Sequence, residues 1–202
     1  MEDFLIIDGV LEFYRGNALS LRIPDSVSLI RCTALRPNKR VEEIIIPASV
    51  TEIESGAFWE LNSLERIVVA EDNPVYSSIG GHLYSKDGKT ILQYATGCKE
   101  ASFKLPDGVV EIGDSAFRGC VCLAEAIISK GVARIGNSAF NGCPLLSAVH
   151  IPSSVTTIGQ YAFSGCDKLL TVKIPYGVKK IENECFCGCK ALLTVSISNG
   201  VE

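Results

Sequence analysis

A 23-residue unit repeats along most of this sequence. Residues 128–150, 151–173 and 174–196 follow one another without a gap, and the same residue types recur at the same positions of each unit. A fixed period of this length is typical of a solenoid, in which each unit stacks only on its neighbours. Because one short unit cannot bury its apolar side by itself, the stack of units is predicted to be what folds.

The apolar positions of the repeat predict its local structure. Positions in the repeat are numbered from the isoleucine or leucine that usually precedes a proline. The side chains at positions 22, 23 and 1 alternate between apolar and polar, which predicts a short strand whose positions 21 and 23 face outward. Positions 10 to 16 place alanine, phenylalanine and cysteine at helical spacing, with a glycine at position 15, which predicts one or two helical turns. The apolar residues of the unit 151–173 are Ile151, Val155, Ile158, Ala162, Phe163, Cys166, Leu169 and Val172.

The period is interrupted between residues 69 and 104, where a longer segment replaces one unit. Within it, the polar turn KDGK at residues 86–89 separates two short segments of β type, residues 81–84 and 90–94. Turn residues between two such runs are typical of a β-hairpin. The interruption is therefore predicted to be a hairpin insert within the solenoid.

The start of the chain contains a related segment. Residues 7–11 (IDGVL) resemble residues 79–83 (IGGHL) of the insert, which predicts a hairpin cap at the N-terminus. The other end lacks a cap, so we expect either a truncated chain or an apolar end face that another molecule covers, including a second copy. The predicted segments of this single solenoid domain are a cap (1–22), two repeats (23–68), an irregular repeat with the hairpin insert (69–104), four regular repeats (105–196) and the start of a further repeat (197–202).

Composition excludes several classes of protein. A formal net charge of −4, with no cluster of lysine or arginine, argues against nucleic-acid binding. No stretch approaches the roughly 20 apolar residues of a membrane span, and the first residues do not form a secretory signal, so the sequence as given predicts a cytoplasmic location. Four of the nine cysteines recur at position 16, which predicts a packed column of reduced thiols, although pairing of neighbours stays open. They are Cys120, Cys143, Cys166 and Cys189.

Residues for catalysis or metal binding are few. A nucleophilic triad would need one of the two histidines, His82 or His150, and His150 stands at the outward position 23. The CFCGC run from Cys185 to Cys189 has no second ligand pair, so it is interpreted as structural. We therefore expect no enzyme activity, no cofactor and no metal site. Trp59, at position 14, is either a residue of a binding hot spot or a sign of local repacking.

The recurring phrase IPxSVxxIGxxAFxGCxxLxxVxIP, taken from residues 151–175, resembles the leucine-rich repeats of the BspA type, also called the Treponema pallidum type. Residues 73–94 (NPVYSSIGGHLYSKDGKTILQY) resemble an insertion that is common in that family. The resemblance implies an α/β repeat fold, a right-handed leucine-rich-repeat solenoid of short parallel strands and short helical turns. It also implies a non-catalytic binding module, as in bacterial surface proteins that adhere to host matrix proteins or cells. A fragment of such a protein would belong at the cell surface or outside the cell.

A protein partner is expected on the concave sheet, since solenoids commonly bind there. Eight strands at about 4.8 Å spacing would give a continuous sheet roughly 34 Å long. Three outward aliphatic residues, Ile45, Val68 and Ile127, could form an apolar patch within it. The alternative function is a structural spacer or assembly module that displays another domain. The candidate binding residues are Arg22, Glu43, Ile45, Arg66, Val68, Lys104, Glu125, Ile127, His150, Thr171, Lys173, Thr194 and Ser196.

Overall fold

The computed structural model describes residues 3–36 and 38–199, which form a parallel β-solenoid. Each 23-residue coil contributes a strand of three or four residues near positions 21 to 1. The regular coils before residue 174 add a strand of two residues at positions 7 and 8, and the coil 174–196 has an isolated bridge at Ile181 instead. The strands are β1 (Phe4–Ile7), β2 (Val10–Tyr14), β3 (Ser20–Arg22), β4 (Leu29–Ile30), β5 (Glu43–Ile46), β6 (Glu52–Ile53), β7 (Arg66–Val69), β8 (Tyr76–Ile79), β9 (His82–Ser85), β10 (Thr90–Gln93), β11 (Ser102–Lys104), β12 (Glu111–Ile112), β13 (Glu125–Ile127), β14 (Arg134–Ile135), β15 (Ala148–His150), β16 (Thr157–Ile158), β17 (Thr171–Ile174) and β18 (Thr194–Ile197).

The strands form two rows along the stack. The first row consists of the sheets β3-β5-β7, β11-β13-β15 and β17-β18, and the second row of the sheets β1-β2-β4-β6 and β16-β14-β12-β10-β9-β8. Within the first row, Glu43 pairs with Arg66 and Glu125 with Ala148, so each strand lies in register with residues one unit away. The parallel solenoid with a 23-residue period is thereby confirmed.

The helical turns that the spacing predicted are wrong, because the described residues contain no helix. This also means that residues 3–36 and 38–199 include no helix of the length and apolarity that a bilayer crossing requires. At positions 10 to 16, some backbone N–H groups donate to the next coil and others donate within their own coil. The N–H of Phe117 donates to Ala139 O of the next coil at 2.7 Å, whereas the N–H of Cys120 donates to Phe117 O of its own coil at 3.2 Å. Ser115 has a positive φ of 61°, which a helix does not permit. The segment is therefore a chain of turns.

Identical side chains stack on one another inside the coils. The rings of Phe117 and Phe140 lie 4.7 Å apart, those of Phe140 and Phe163 lie 5.3 Å apart, and both pairs are parallel. The cysteines of position 16 form a neighbouring column, in which Cys143 Sγ donates to the carbonyl oxygen of Phe117 at 3.1 Å. All nine cysteines are free thiols, and burial raises the pKa of Cys143 well above its usual value. The column thus consists of hydrogen-bonded thiols.

The insert divides the apolar interior into two cores. The N-terminal core contains Leu35 and ends at Leu83 and Ala95, whereas the C-terminal core begins at Tyr84 and contains Leu146. Strand β9 belongs to both, because its successive side chains point to opposite sides. Leu83 and Tyr84 therefore pack against different halves of the molecule.

The continuous eight-strand sheet of about 34 Å is not formed. The insert occupies the place of the strand that would follow β7, because the N–H of Ile67 donates to Gly81 O of the insert at 2.7 Å. Strands β15 and β17 also belong to separate sheets. The first row is accordingly a series of three short sheets.

The insert begins the second half of the molecule in the way that the N-terminal segment begins the first. Strands β1 and β2 are antiparallel around Asp8 and Gly9, and strands β8 and β9 are antiparallel around Gly80 and Gly81. Both glycine turns have positive φ angles, which glycine adopts without strain. The N–H of Tyr14 donates to Ala34 O, and that of Tyr94 donates to Ala116 O, so each hairpin leads into the first coil of its half through the same type of bond.

The two cores predict separate responses to mutation. Leu35→Ala removes a fully buried side chain of the N-terminal core, and Leu146→Ala does the same in the C-terminal core. Each should lower the unfolding free energy of its own half by about 2–5 kcal/mol. Trp59 belongs to the first half and contacts Arg118 of the second, so urea denaturation followed by Trp59 emission should show a larger shift in Leu35→Ala than in Leu146→Ala. An equal shift in both variants would show a single cooperative unit.

Candidate protein-binding surface

The outward residues of the first row form one side of the solenoid, here called the ladder face. It comprises positions 21 and 23 of strands β3, β5, β7, β11, β13, β15, β17 and β18. All thirteen candidate residues lie there and are exposed or half-buried. Ser20, Ser102 and Ala148 complete position 21 and were absent from the candidate set.

A polar network crosses the first three strands of the ladder face. Glu43, on the central strand, accepts hydrogen bonds from Ser20 Oγ on one side and from Arg66 Nε on the other. The bond from Ser20 and the contact with Arg66 lower the pKa of Glu43. These three residues share position 21 and form one row of contacts, at the end of which the exposed Arg66 guanidinium faces solvent.

A similar network crosses the next three-stranded sheet. Ser102 Oγ donates to Glu125 Oε2 at 2.7 Å, and His150 Nε2 lies 3.1 Å from Glu125 Oε1. The bond from Ser102, together with His150, lowers the pKa of Glu125. In a catalytic triad the histidine lies between the nucleophile and the carboxylate. Here the carboxylate lies between serine and histidine, so the arrangement does not activate Ser102.

The repeated serine was a signal that the sequence contained. Ser20 and Ser102 both stand at position 21, one 23-residue unit before a glutamate. Parallel strands in register place such residues side by side. The pairs Ser20–Glu43 and Ser102–Glu125 could therefore have been found from the period alone.

The structure separates the three aliphatic residues of the expected patch. Ile45 and Val68 are direct partners on β5 and β7, and Val68 is 37% exposed. Ile127 lies in the next sheet, between Lys104 and His150. Because the insert stands between the two sheets, the ladder face has one aliphatic pair and one isolated isoleucine.

The other histidine is a core residue. His82 is only 3% exposed and stacks on Tyr94 with ring centroids 4.1 Å apart. Its Nδ1 accepts the N–H of Ala95 at 3.2 Å. Burial lowers the pKa of His82 to about 4, so this side chain is neutral at physiological pH.

The cysteine-rich run contains both buried and exposed thiols. Cys185 is buried in the C-terminal core, whereas Cys187 faces solvent. Across residues 3–36 and 38–199, no group of three or more histidine, cysteine, aspartate or glutamate residues is placed to hold a metal ion. The run is a part of the repeat in this structure.

A cleft of about 270 Å³ opens where the insert interrupts the stack. Trp59 forms part of its wall, with its ring against Gly56 and with the guanidinium carbon of Arg118 3.9 Å from the ring centroid. Trp59 and Arg118 both stand at position 14, but the insert lies between their coils. Trp59 is thus partly covered by a cation–π contact that joins the two halves.

Comparison with known families identifies the repeat. Residues 10–87 and 89–202 match the model of the BspA type leucine rich repeat region, in six copies. The chain belongs to the BspA-type leucine-rich repeat family. A comparison with curated proteins found no match.

Several solved structures resemble this BspA-type chain. A leucine rich cell surface protein of Faecalibacterium prausnitzii is 28% identical, with a TM-score of 0.74 over 87% of this chain and 52% of the other. A leucine-rich repeat protein of Bacteroides ovatus is 30% identical, with a TM-score of 0.61 over 96% of this chain and 49% of the other. The pneumococcal vaccine antigen PcpA, at 20% identity and a TM-score of 0.71 over 88% of this chain and 56% of the other, shares the fold. The chain thus spans about half the length of these three structures.

Buried His82 predicts an acid-sensitive stability for this BspA-type solenoid. The pKa is near 6.5 in the unfolded chain and about 4 in the folded one, so between these values the unfolded state binds more protons. The unfolding free energy should therefore fall by up to about 3 kcal/mol as the pH decreases from about 6.5 to 4.

Urea denaturation at a series of pH values tests this effect. His82→Gln keeps an acceptor for the N–H of Ala95 and should remove most of the decrease between pH 6.5 and 4. His150→Gln is the matched control at the exposed histidine and should retain it. A decrease that persists in His82→Gln would assign the pH dependence to other groups.

Proposed function

We propose that this chain is a non-catalytic protein-interaction module that binds a partner protein through the ladder face, in adhesion or scaffolding. The observation that carries the proposal is the contrast between the two sides of each first-row strand. Inward residues such as Val149 and Val172 are alike from coil to coil, whereas the outward residues at the same strands change between acidic, basic, hydroxyl and aliphatic side chains. A face that varies on a constant scaffold suits recognition.

The aliphatic pair is the favoured centre of the binding site. Ile45 and Val68 lie side by side and partly exposed, with Arg22 beside Ile45 and Arg66 preceding Val68 by two residues. Protein interfaces typically combine a small apolar centre with a polar rim in which arginine is enriched. The contact of Glu43 with Arg66 orients this part of the rim before a partner arrives, which lowers the entropic cost of binding.

The relatives support the same class of function. The Faecalibacterium protein is described as a cell surface protein. Since the chain spans about half of that protein, a role at a cell surface is part of the proposal. The spacer alternative stays a prediction, and the experiment below also tests it.

Partner capture by ladder-face variants tests the proposal. Ile45→Asp and Val68→Asp place a charge in the aliphatic pair and should weaken binding to an immobilised panel of extracellular-matrix proteins and bacterial cells by at least about tenfold. Val110→Asp is the matched control, because Val110 is 42% exposed but lies outside the ladder face.

Surface plasmon resonance and circular dichroism together separate loss of binding from loss of fold. Binding by Ile45→Asp at the level of the unsubstituted chain would contradict the proposal and favour the spacer. Equal loss in Val110→Asp would also contradict it, because the effect would not depend on the ladder face.

A further inference from the structure

The regular coils are joined by hydrogen bonds on the side that bears the turns. The N–H groups of positions 11, 13 and 15 donate to the carbonyl oxygens of positions 10, 12 and 14 in the next coil. In the coil 105–127, Ser115 donates to Asn137 O at 2.8 Å and Phe117 to Ala139 O at 2.7 Å. The next two coils repeat this pattern, so the neighbouring main chain is the normal acceptor for these donors.

The coil 46–68, just before the insert, has the donors without the acceptors. Its positions 11 and 13 are Gly56 and Phe58, and among residues 3–36 and 38–199 no hydrogen-bond acceptor meets either N–H. The preceding coil also lacks these bonds, but only Gly56 and Phe58 line the cleft. Both residues are buried, and the buried Nε1 of Trp59 is likewise without a partner. A ligand that enters the cleft can therefore supply acceptors to these donors.

The insert leaves this space open because its hairpin does not follow the path of a regular coil. Leu83, Leu92 and Gln93 of the insert line the cleft together with Gly56 and Phe58, and Asp114 also lines it. The second-row strand β6 also ends its sheet here. The hydroxyl of Tyr76 accepts the N–H of Ile53 at 3.0 Å in place of a neighbouring strand.

The charges around the cleft are already paired. Two hydrogen bonds lower the pKa of Glu54: the larger effect comes from the backbone N–H of Cys32 and the smaller one from the Arg31 side chain. Burial opposes ionisation of Asp114, but hydrogen bonds from the N–H of Asn137 and from Arg134 outweigh it and lower the pKa. The walls therefore favour a neutral ligand that supplies acceptors, with a small apolar side chain against Leu83 and Leu92.

A peptide main chain has this chemistry, and the regular coils show how it fits. Asn137 and Ala139 present carbonyl groups two residues apart, at the spacing of the donors Ser115 and Phe117. We propose that the cleft binds a peptide segment of a partner protein, whose carbonyl groups accept hydrogen bonds from Gly56 and Phe58. The segment completes the interrupted stack, as strand addition completes an open sheet edge. This site is separate from the ladder face and does not depend on its proposed role.

Trp59 provides the readout, because it is the single tryptophan of the chain. The probe is an acetylated and amidated peptide of residues 136–142 (GNSAFNG), which supplies these carbonyl groups in the regular coils. Titration into the full chain should produce a saturable change in Trp59 emission. The same peptide with Ala139→Ile, whose larger side chain does not fit the position-12 site, should bind at least about tenfold more weakly.

Two matched protein variants locate the binding site. Leu92→Phe fills the cleft and should weaken peptide binding at least about tenfold, whereas Leu145→Phe, at an exposed leucine elsewhere, should leave it unchanged. If Leu92→Phe does not fold by circular dichroism, Ser55→Tyr at the rim replaces it. Ile45→Asp on the ladder face should also leave the titration unchanged, which separates this site from the proposed function.

Three outcomes would overturn the proposal. The first is no saturable change in Trp59 emission up to the solubility limit of the peptide. The second is equal binding by the chain and its cleft-filling variant. The third is a response to inorganic phosphate that matches the response to the peptide, because the unpaired donors would then form an anion site.

Discussion

Hydrogen bonds between successive coils are the constraint on which the rest of this structure depends. The coils contain no helix within residues 3–36 and 38–199, so the N–H groups of their strands donate to the neighbouring coil. In the coils between residues 105 and 173, alternate N–H groups of the turns do the same. These bonds set the register, and the register stacks identical side chains into the columns of Phe117, Phe140 and Phe163. Any segment that leaves the regular path therefore changes bonds, core and surface together.

The insert shows these joint consequences. The carbonyl oxygen of Gly81 in the insert accepts the N–H of Ile67, and this bond ends the first sheet of the ladder face. Strand β9 of the insert divides the interior into two cores. No regular coil follows the coil 46–68, and the cleft beside Trp59 opens there. Its likeness to the N-terminal hairpin suggests that the second half begins as an independent solenoid would begin, with its own hairpin packed against the first half.

The same register organises polar residues outside the core. Ser20, Glu43 and Arg66 meet on neighbouring strands, and Ser102, Glu125 and His150 meet in the next sheet. Exposed ion pairs of this kind contribute little to stability. The first network links Arg66 to Glu43 beside Ile45 and Val68, and the second links His150 to Glu125 beside Ile127. Such contacts are useful for recognition because fewer side-chain conformations are lost when a partner binds.

The sequence by itself determined the 23-residue coil, the strand positions, the buried residues such as Phe163 and Cys166, and the family, because periodic apolar residues encode these features locally. It also contained the serine–glutamate pairs of the ladder face. Only the tertiary structure decided that positions 10 to 16 form turns, that Ile127 stands apart from Ile45 and Val68, and that a cleft opens beside Trp59. Each of these depends on whether a backbone N–H group finds its acceptor in its own coil, in the next coil or nowhere, and that choice is made between residues far apart in the chain.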